Sequence, residues 1–406
     1  MDPLDIMMNK NQVVPYFTPI LSADTQSVIG YEVEAFWHDG SEKRNLNWFF
    51  ADQDIPSDFR IELEDDLQEK AVQYYLSKEG QNQLLFFHYN VRLLKKTVET
   101  VLFERIEQMK AVGIRLEKLF FIIGFDHGVE ELLDVKHTLV YLQSLGVHIA
   151  IDADSTTAHQ LEFISQLRPN VIRVNCSFLE ENMLPGMYRD IHQPLALLAR
   201  KIGATLLFDQ VESFAQLNYA WRSGGRYYQG GYLQKGSSAF IERKACKEKL
   251  MKDMNHFILF ERKKMEAQFE LSNSLTQELK LALKAVEQAE SFDAVVLRIA
   301  KALTSYTFRV YICNDDGIQE SSNAEKTSEG NWVLLKESRA KNWSWRPYFL
   351  ENIVRMNVEK KGILSDLYTD IERDEQIRTY SYPISSNQYV FIDIPYDYLF
   401  EQDDLL

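Results

Sequence analysis

The chain has little of what marks a disulfide-stapled, membrane-spanning or nucleic-acid-binding protein. Only three cysteines occur in 406 residues, Cys176, Cys246 and Cys313, far apart and with no CxxC pair. That pattern excludes a disulfide framework and a cysteine zinc site, and it suits a reducing compartment. No uninterrupted apolar run approaches the ~20 residues of a membrane helix, so no membrane insertion is expected. The N-terminal stretch MDPLDIMMNKNQ lacks the charged-then-apolar pattern of a secretory leader, and a cytoplasmic location is expected. Basic charge is in deficit: 45 Lys and Arg stand against 60 Asp and Glu, a formal net charge of -15. Such a chain is a poor partner for a nucleic-acid backbone, although one small anion can still sit in a local basic pocket. His88, His127 and His148 show no metal-ligand spacing, and tandem repeats and low-complexity tracts are missing.

What is present is ordinary globular composition, 45% hydrophobic and 26% charged, in a chain long enough for two domains. From about residue 14 to 235, short apolar or aromatic runs alternate with amphipathic stretches. The strand-like runs are 13–20, 28–36, 84–91, 119–125, 147–152, 170–175, 204–209 and 226–233, with helical patterns such as DLQEKAVQYYL, TLVYLQSLG and QPLALLARKIG between them. Eight strands alternating with helices predict a (β/α)8 barrel, with a doubly wound open sheet as the alternative that periodicity alone does not separate.

Residues 241–290 are charged and helical. Leu275, Leu279, Ala282 and Val286 step by four, three and four, a short coiled-coil-like seam. Ser272 to Ser274 interrupt the pattern, and Ser274 with Gln277 has capping-box spacing. The segment reads as a linker helix that either offers a homodimer seam or packs on the barrel. Beyond it, FRVYICNDDG, NWVLLKE, IRTYSYPI and QYVFIDIP read as strands around the helix WSWRPYFLENIVRM, a smaller α+β module. The predicted division is 1–240 barrel, 241–290 linker helix and 291–406 sensor module.

Barrel chemistry sits at the C-terminal strand ends. Those ends carry Glu32 and Glu34, His88 and Asn90, Gly124 to Asp126, Asp152 and Asp154, Arg173 and Asn175, Asp209 and Glu212, and Gln229. Polar groups on nearly every strand suit metal-assisted chemistry on a phosphate, but strand ends meet solvent and are polar in any case. The segments YFTPI, GYEVEAF, IAIDADS, VIRVN, LFDQVES and YYQGGYL resemble, in order and spacing, the EAL family of cyclic di-GMP phosphodiesterases, whose fold is TIM-like. The tail segments NWSWRPYFLENI, SDLYTD, RTYSYP and FIDIPYDYLFEQD resemble the C-terminal domain of the YkuI-type group within it, a PAS- or Cache-like module.

The resemblance implies a two-cation hydrolytic centre and shows how far this chain departs from it. Glu32 matches the motif glutamate, Asp152 the first aspartate of the DDFG segment, Glu212 the second glutamate of the EGVE run and Gln229 the late glutamine. The asparagine ligand falls on His88, a glutamate ligand on Ile123 and the second DDFG aspartate on Ala153. Arg173 stands for the lysine and Asp209 for the first EGVE glutamate. Isoleucine and alanine supply no ligand, and histidine is a poorer partner than an amide for a hard cation. Arginine cannot lose a proton near neutrality. A carboxylate pulled back by about 1 Å loses on the order of 100-fold in rate. No competent metal site is expected, Glu32 and Asp152 being its weak remnants; magnesium, manganese or calcium would enter only if that residue of a site still works. Glu34, Asn90 and Asp154, each two residues further along, are the other conceivable carriers of a displaced site.

For the nucleotide, the family's arginine falls on Phe36 and its glutamine on Thr18, next to Pro19, which weakens phosphate recognition. The leading reading is a catalytically degenerate regulatory protein that docks another protein of cyclic di-GMP signalling. A slow, manganese-dependent phosphodiesterase and a non-hydrolysing cyclic di-GMP receptor are the alternatives. In the tail, Trp345, Arg346, Tyr348, Asp366, Arg378 and Tyr380 are candidates to enclose a small acid or amino acid, against the plainer reading of a packed aromatic core.

Overall fold

The computed structural model describes residues 1–38, 43–78, 82–90, 101–124, 129–153, 158–177, 179, 185–284 and 291–401. It divides into two compact units, Met1–Phe257 and Ile258–Leu406.

The first unit is a closed barrel. Its strands are β1 (Val13–Ser22), β2 (Ser27–His38), β3 (Lys43–Asn45), β4 (Leu84–Asn90), β5 (Leu119–Gly124), β6 (His148–Asp152), β7 (Val171–Asn175), β8 (Thr205–Asp209) and β9 (Tyr227–Tyr228). Hydrogen bonding runs β1-β9-β8-β7-β6-β5-β4-β2, and β1 returns to β2, so eight strands close and β3 extends β2 outside the ring. The neighbours from β2 through β4 to β9 are parallel. β1 is antiparallel to both of its neighbours. Strict strand–helix alternation therefore fails at the start. Only four residues separate β1 from β2, whereas a parallel crossover needs a dozen or more.

Two apolar layers follow from the two-residue period of the strands. Ile20, Phe86, Phe120, Ile122, Ala150, Val171 and Leu207 fill the barrel interior. Their sequence neighbours Leu85, Phe87, Phe121, Ile123, Ile149, Ile151, Ile172 and Phe208 belong to the larger outer core, into which the helices Ser57–Leu76 and Ala158–Leu167 send Leu63, Leu67 and Phe163. The eighth strand is shorter than the run 226–233, because the chain leaves the sheet at Gln229 and closes a tight Gly230–Gln234 bridge.

The helix Lys247–Lys284 is continuous for 38 residues, passing through Ser272–Ser274 without a cap. In the first unit it contributes Leu250, Met254 and Phe257 to the barrel's outer core. In the second, Leu271, Leu275, Leu279 and Ala282 are buried against Val296, Ile299, Val310 and Ile392. The coiled-coil-like seam is thus covered by its own unit and is not open to a second copy; Val286 lies outside the described residues.

The second unit is an antiparallel sheet of β10 (Arg309–Asn314), β11 (Asn323–Lys326), β12 (Trp332–Leu335), β13 (Ile363–Leu364), β14 (Tyr368–Thr369), β15 (Gln376–Pro383) and β16 (Gln388–Pro395), in the order β12-β11-β10-β16-β15-β13 with β14 on β15. One face packs on the long helix and on Phe292–Ala302. The other carries Tyr311, Cys313, Tyr389 and Phe391 against Phe349, Ile353 and Met356 of the helix Pro347–Glu359.

Candidate functional site

The barrel's inward positions change character one pleat above the apolar layer. Phe86 is followed by His88 on β4 and Ala150 by Asp152 on β6. Val171 is followed by Arg173 on β7 and Leu207 by Asp209 on β8. With Glu32 on β2 and Gln229 beyond β9, His88, Arg173 and Asp209 line a mouth of about 410 Å³, shared with Thr18, Glu212 and Lys235, while Asp152 lines a neighbouring cavity.

Arg173 is the hub. Its Nη1 donates to Asp152 Oδ1 at 3.0 Å, and its Nη2 donates to Asp209 Oδ2 at 2.6 Å and to both Glu32 oxygens at 3.2 Å. Glu32, only 3% exposed, also meets His88 Nε2 at 2.5 Å and accepts from Gln229 Nε2 at 2.6 Å. Among the described residues, the buried Nε of Arg173 and Oε1 of Gln229 have no partner.

The charges set one another. Burial pushes the Glu32 carboxyl up, but Arg173 and then His88 outweigh it and hold it down at about 2. Asp209 is pushed up to about 6, mainly by burial, with Arg173 opposing and Glu32 adding to the rise. For His88, desolvation works against protonation, but the Glu32 charge and hydrogen bond win and raise it. Arg173 is desolvated too, yet the three carboxylates keep it charged.

Glu212 turns away from this cluster: its Oε1 accepts from Gly231 N at 2.7 Å. A side chain at 231 would meet that carboxylate and displace it from this hydrogen bond. Thr18 donates to Glu34 Oε2 at 2.5 Å, and Asn45 and Asn47 donate to Glu34 Oε1 at 3.3 Å, so Glu34 is engaged at the rim. Pro19 lies opposite Tyr31 in the β1–β2 ladder. Phe36 stacks on Tyr16, centroids 4.2 Å apart. Asp126, His127, Asp154 and the Asn90 side chain lie outside the described residues.

Strand phase changes one assignment. Ile123 faces the outer core and Ile122 the barrel interior, directly across from His88 in the β4–β5 ladder. The positions on β5 that face the cluster are 122 and 124, an isoleucine and a glycine whose added Cβ would lie 3.7 Å from Asp152 Oδ2, and neither supplies a carboxylate. Ala153 belongs to the outer core, with its N–H on Arg173 O at 2.8 Å. A two-cation centre does not fit these residues. Positions 122 and 153 give no donor, and the Arg173 guanidinium already occupies the point on which Glu32, Asp152 and Asp209 converge. Among the described residues no group of three His, Cys, Asp or Glu is placed to hold a metal.

Sequence reasoning missed a polar knot behind β4. Gln68 Oε1 accepts from Tyr89 OH at 2.8 Å and Arg105 Nη1 at 3.2 Å, while Gln68 donates to Glu64 at 3.1 Å. Burial pushes Glu64 up to about 7, with Arg105 and His88 opposing. It edges a second cavity of about 280 Å³ beside His88. The available signal was Glu64 and Gln68, one turn apart on the buried face of an amphipathic helix.

In the C-terminal unit the six candidates do not share one enclosure. Trp345 is 64% exposed. The Arg346 guanidinium sits 4.4 Å from the Trp343 ring centroid, 5.7 Å from Trp345 and 5.8 Å from Tyr368. Asp366 is exposed. Arg378 donates to Ser365 O at 2.8 Å. Tyr380 is fully buried on the sheet face covered by the long helix, opposite the face on which Trp343 packs. The Tyr348 side chain lies outside the described residues. The strongest polar constellation here is one the sequence reading did not single out. Arg309 donates to Asp393 at 2.6 Å, to Asp370 at 2.9 Å and to Glu372 at 3.1 Å, and Thr379 donates to Asp393 at 2.6 Å.

Comparison with known proteins agrees with this architecture. The EAL domain family matches residues 2–236, and a family described as an EAL-domain associated signalling protein domain matches residues 240–406. The chain is 37% identical to the EAL-domain containing protein YkuI of Bacillus subtilis strain 168, with all of both chains covered. The crystal structure of that protein, in complex with substrate c-di-GMP and calcium, superposes with a TM-score of 0.91 over both full lengths. The FimX EAL domain of Pseudomonas aeruginosa bound to c-di-GMP, 20% identical with a TM-score of 0.50, covers 60% of this chain and 98% of its own, and shares the barrel fold. Sequence and fold, through both units, place the chain in the EAL-domain family.

Proposed function

We propose that the protein is a regulatory EAL protein whose barrel mouth takes up cyclic di-GMP without hydrolysing it at ordinary enzyme rates. The observation that carries this reading is the Arg173 guanidinium bound to Glu32, Asp152 and Asp209. A fixed cation there does two things. It removes the need for divalent ions to hold the carboxylates together, and it leaves no coordination set for activating a water. The nucleotide complex of the 37% identical YkuI supports the ligand. The division into barrel 1–240, connecting helix 241–290 and sensor 291–406 is part of the proposal, with the helix as the route between the two ends.

Calorimetric titration with cyclic di-GMP in EDTA, then with magnesium, manganese or calcium, tests the binding half. Saturable heat in EDTA is expected. A parallel hydrolysis assay tests the other half, with no product expected at enzyme rates. The second reading, a slow metal-dependent phosphodiesterase, is favoured by the calcium in the YkuI complex. It requires turnover that appears only with added cation and vanishes in Glu32→Ala.

A further inference from the structure

The C-terminal unit contains a cleft that the barrel chemistry does not use. It measures about 610 Å³ and lies between one face of the helix Lys247–Lys284 and the turn from the helix Pro347–Glu359 into β13. Ligand pockets of small molecules fall in the range of roughly 300–1,000 Å³. One wall is apolar and open to solvent, with Met265 exposed 57% and Phe269 exposed 71%. At its base Thr276 Oγ1 lies 2.6 Å from the hydroxyl of Tyr380. Gly362 sits beside that pair, where any side chain would run into the Tyr380 hydroxyl. The rim carries Lys280, Arg355 and Lys361 against one acid, Glu359.

A plainer account covers part of this. Lys361 follows the carboxyl end of the helix Pro347–Glu359 and compensates its free carbonyls. Arg355 pairs loosely with Glu359 at 3.7 Å, an exposed contact worth little. Neither explains Lys280, which reaches the rim from the other helix. Neither explains three cations gathered beside two large solvent-exposed apolar side chains in a chain of net charge -15.

We propose that this cleft binds a small amphipathic organic anion. Its acidic group is held by Lys280 and Arg355, and its apolar part lies against Met265 and Phe269. The ligand contacts the long helix on one side and the end of the sheet on the other, so its binding is felt by the helix that also enters the barrel's core.

Isothermal titration of the full-length protein with octanoate tests this. Saturable heat is expected, with octanamide, the same chain without the charge, binding about tenfold or more weakly. The double variant Lys280→Glu and Arg355→Glu lowers octanoate affinity by about tenfold or more, with the melting temperature as the folding control. Lys280→Gln, at an exposed position, gives a milder loss in the same direction. Equal affinity for octanoate and octanamide, unchanged affinity in the charge variants, or no heat up to about 10 mM octanoate each overturns the proposal.

Discussion

Removing the Arg173 guanidinium would leave Glu32, Asp152 and Asp209 converging on one point with nothing between them. Arg173→Ala is therefore expected to lower stability by about 3–5 kcal/mol at neutral pH. The loss shrinks toward pH 4, where carboxylates freed of the guanidinium take up protons; urea melts at both pH values check it. Glu64 gives a test of opposite sign. Its carboxyl titrates near 4.5 ordinarily and near 7 in the fold. Between those values the folded form holds the extra proton, so this group's contribution is fully present below about 4.5 and lost as pH rises through about 7. Glu64→Gln is expected to exceed the wild type in stability at pH 8 by roughly 1–3 kcal/mol and to match it at pH 4. At this scale the resemblance gave the cluster Glu32, Asp152, Arg173, Asp209 and Gln229 by position. It could not give the hub role of Arg173, because a guanidinium's reach to three carboxylates depends on the closure of the ring. It also placed the lost ligand at Ile123 rather than 122, since a strand's phase is fixed by its pairing and a one-residue slip exchanges the faces.

The helix Lys247–Lys284 shows how an element can be legible and its use not. Its helical period and the Leu275, Leu279, Ala282 spacing stand plainly in the sequence, but spacing names no partner. The partner is the sheet face of Val310 and Ile392, more than 25 residues away in the chain. Leu275→Ala is expected to destabilise the C-terminal unit by about 2–5 kcal/mol, as a cavity in a covered core does. Thermal melts at two protein concentrations check this, because a dimer seam would make the loss concentration-dependent. The antiparallel start of the barrel was legible in principle: the seven residues between the runs 13–20 and 28–36 suffice for a hairpin but not for the dozen or more of a parallel crossover. The Arg309–Asp370–Asp393 network also left a trace, a lone charge inside each of the apolar strands FRVYI and VFIDI, where opposite charges are stable only as partners.

For the whole molecule, the barrel core and the C-terminal core share no residue. Scanning calorimetry is expected to resolve two transitions, with Arg173→Ala lowering only one and Leu275→Ala only the other. A single transition shifted by both would refute that independence. On the proposed reading, the Arg173 hub also makes a two-cation site hard to build in this barrel. A return to a two-cation site needs a carboxylate on the interior face of β5, at 122, and removal of the guanidinium. A new acid added first would crowd negative charge round an occupied centre, and the guanidinium removed first would strip Glu32, Asp152 and Asp209 of their counter-charge. Each step alone is unfavourable and only the combination is rewarded. On that reading a ratchet of one arginine holds the barrel in a non-hydrolysing role.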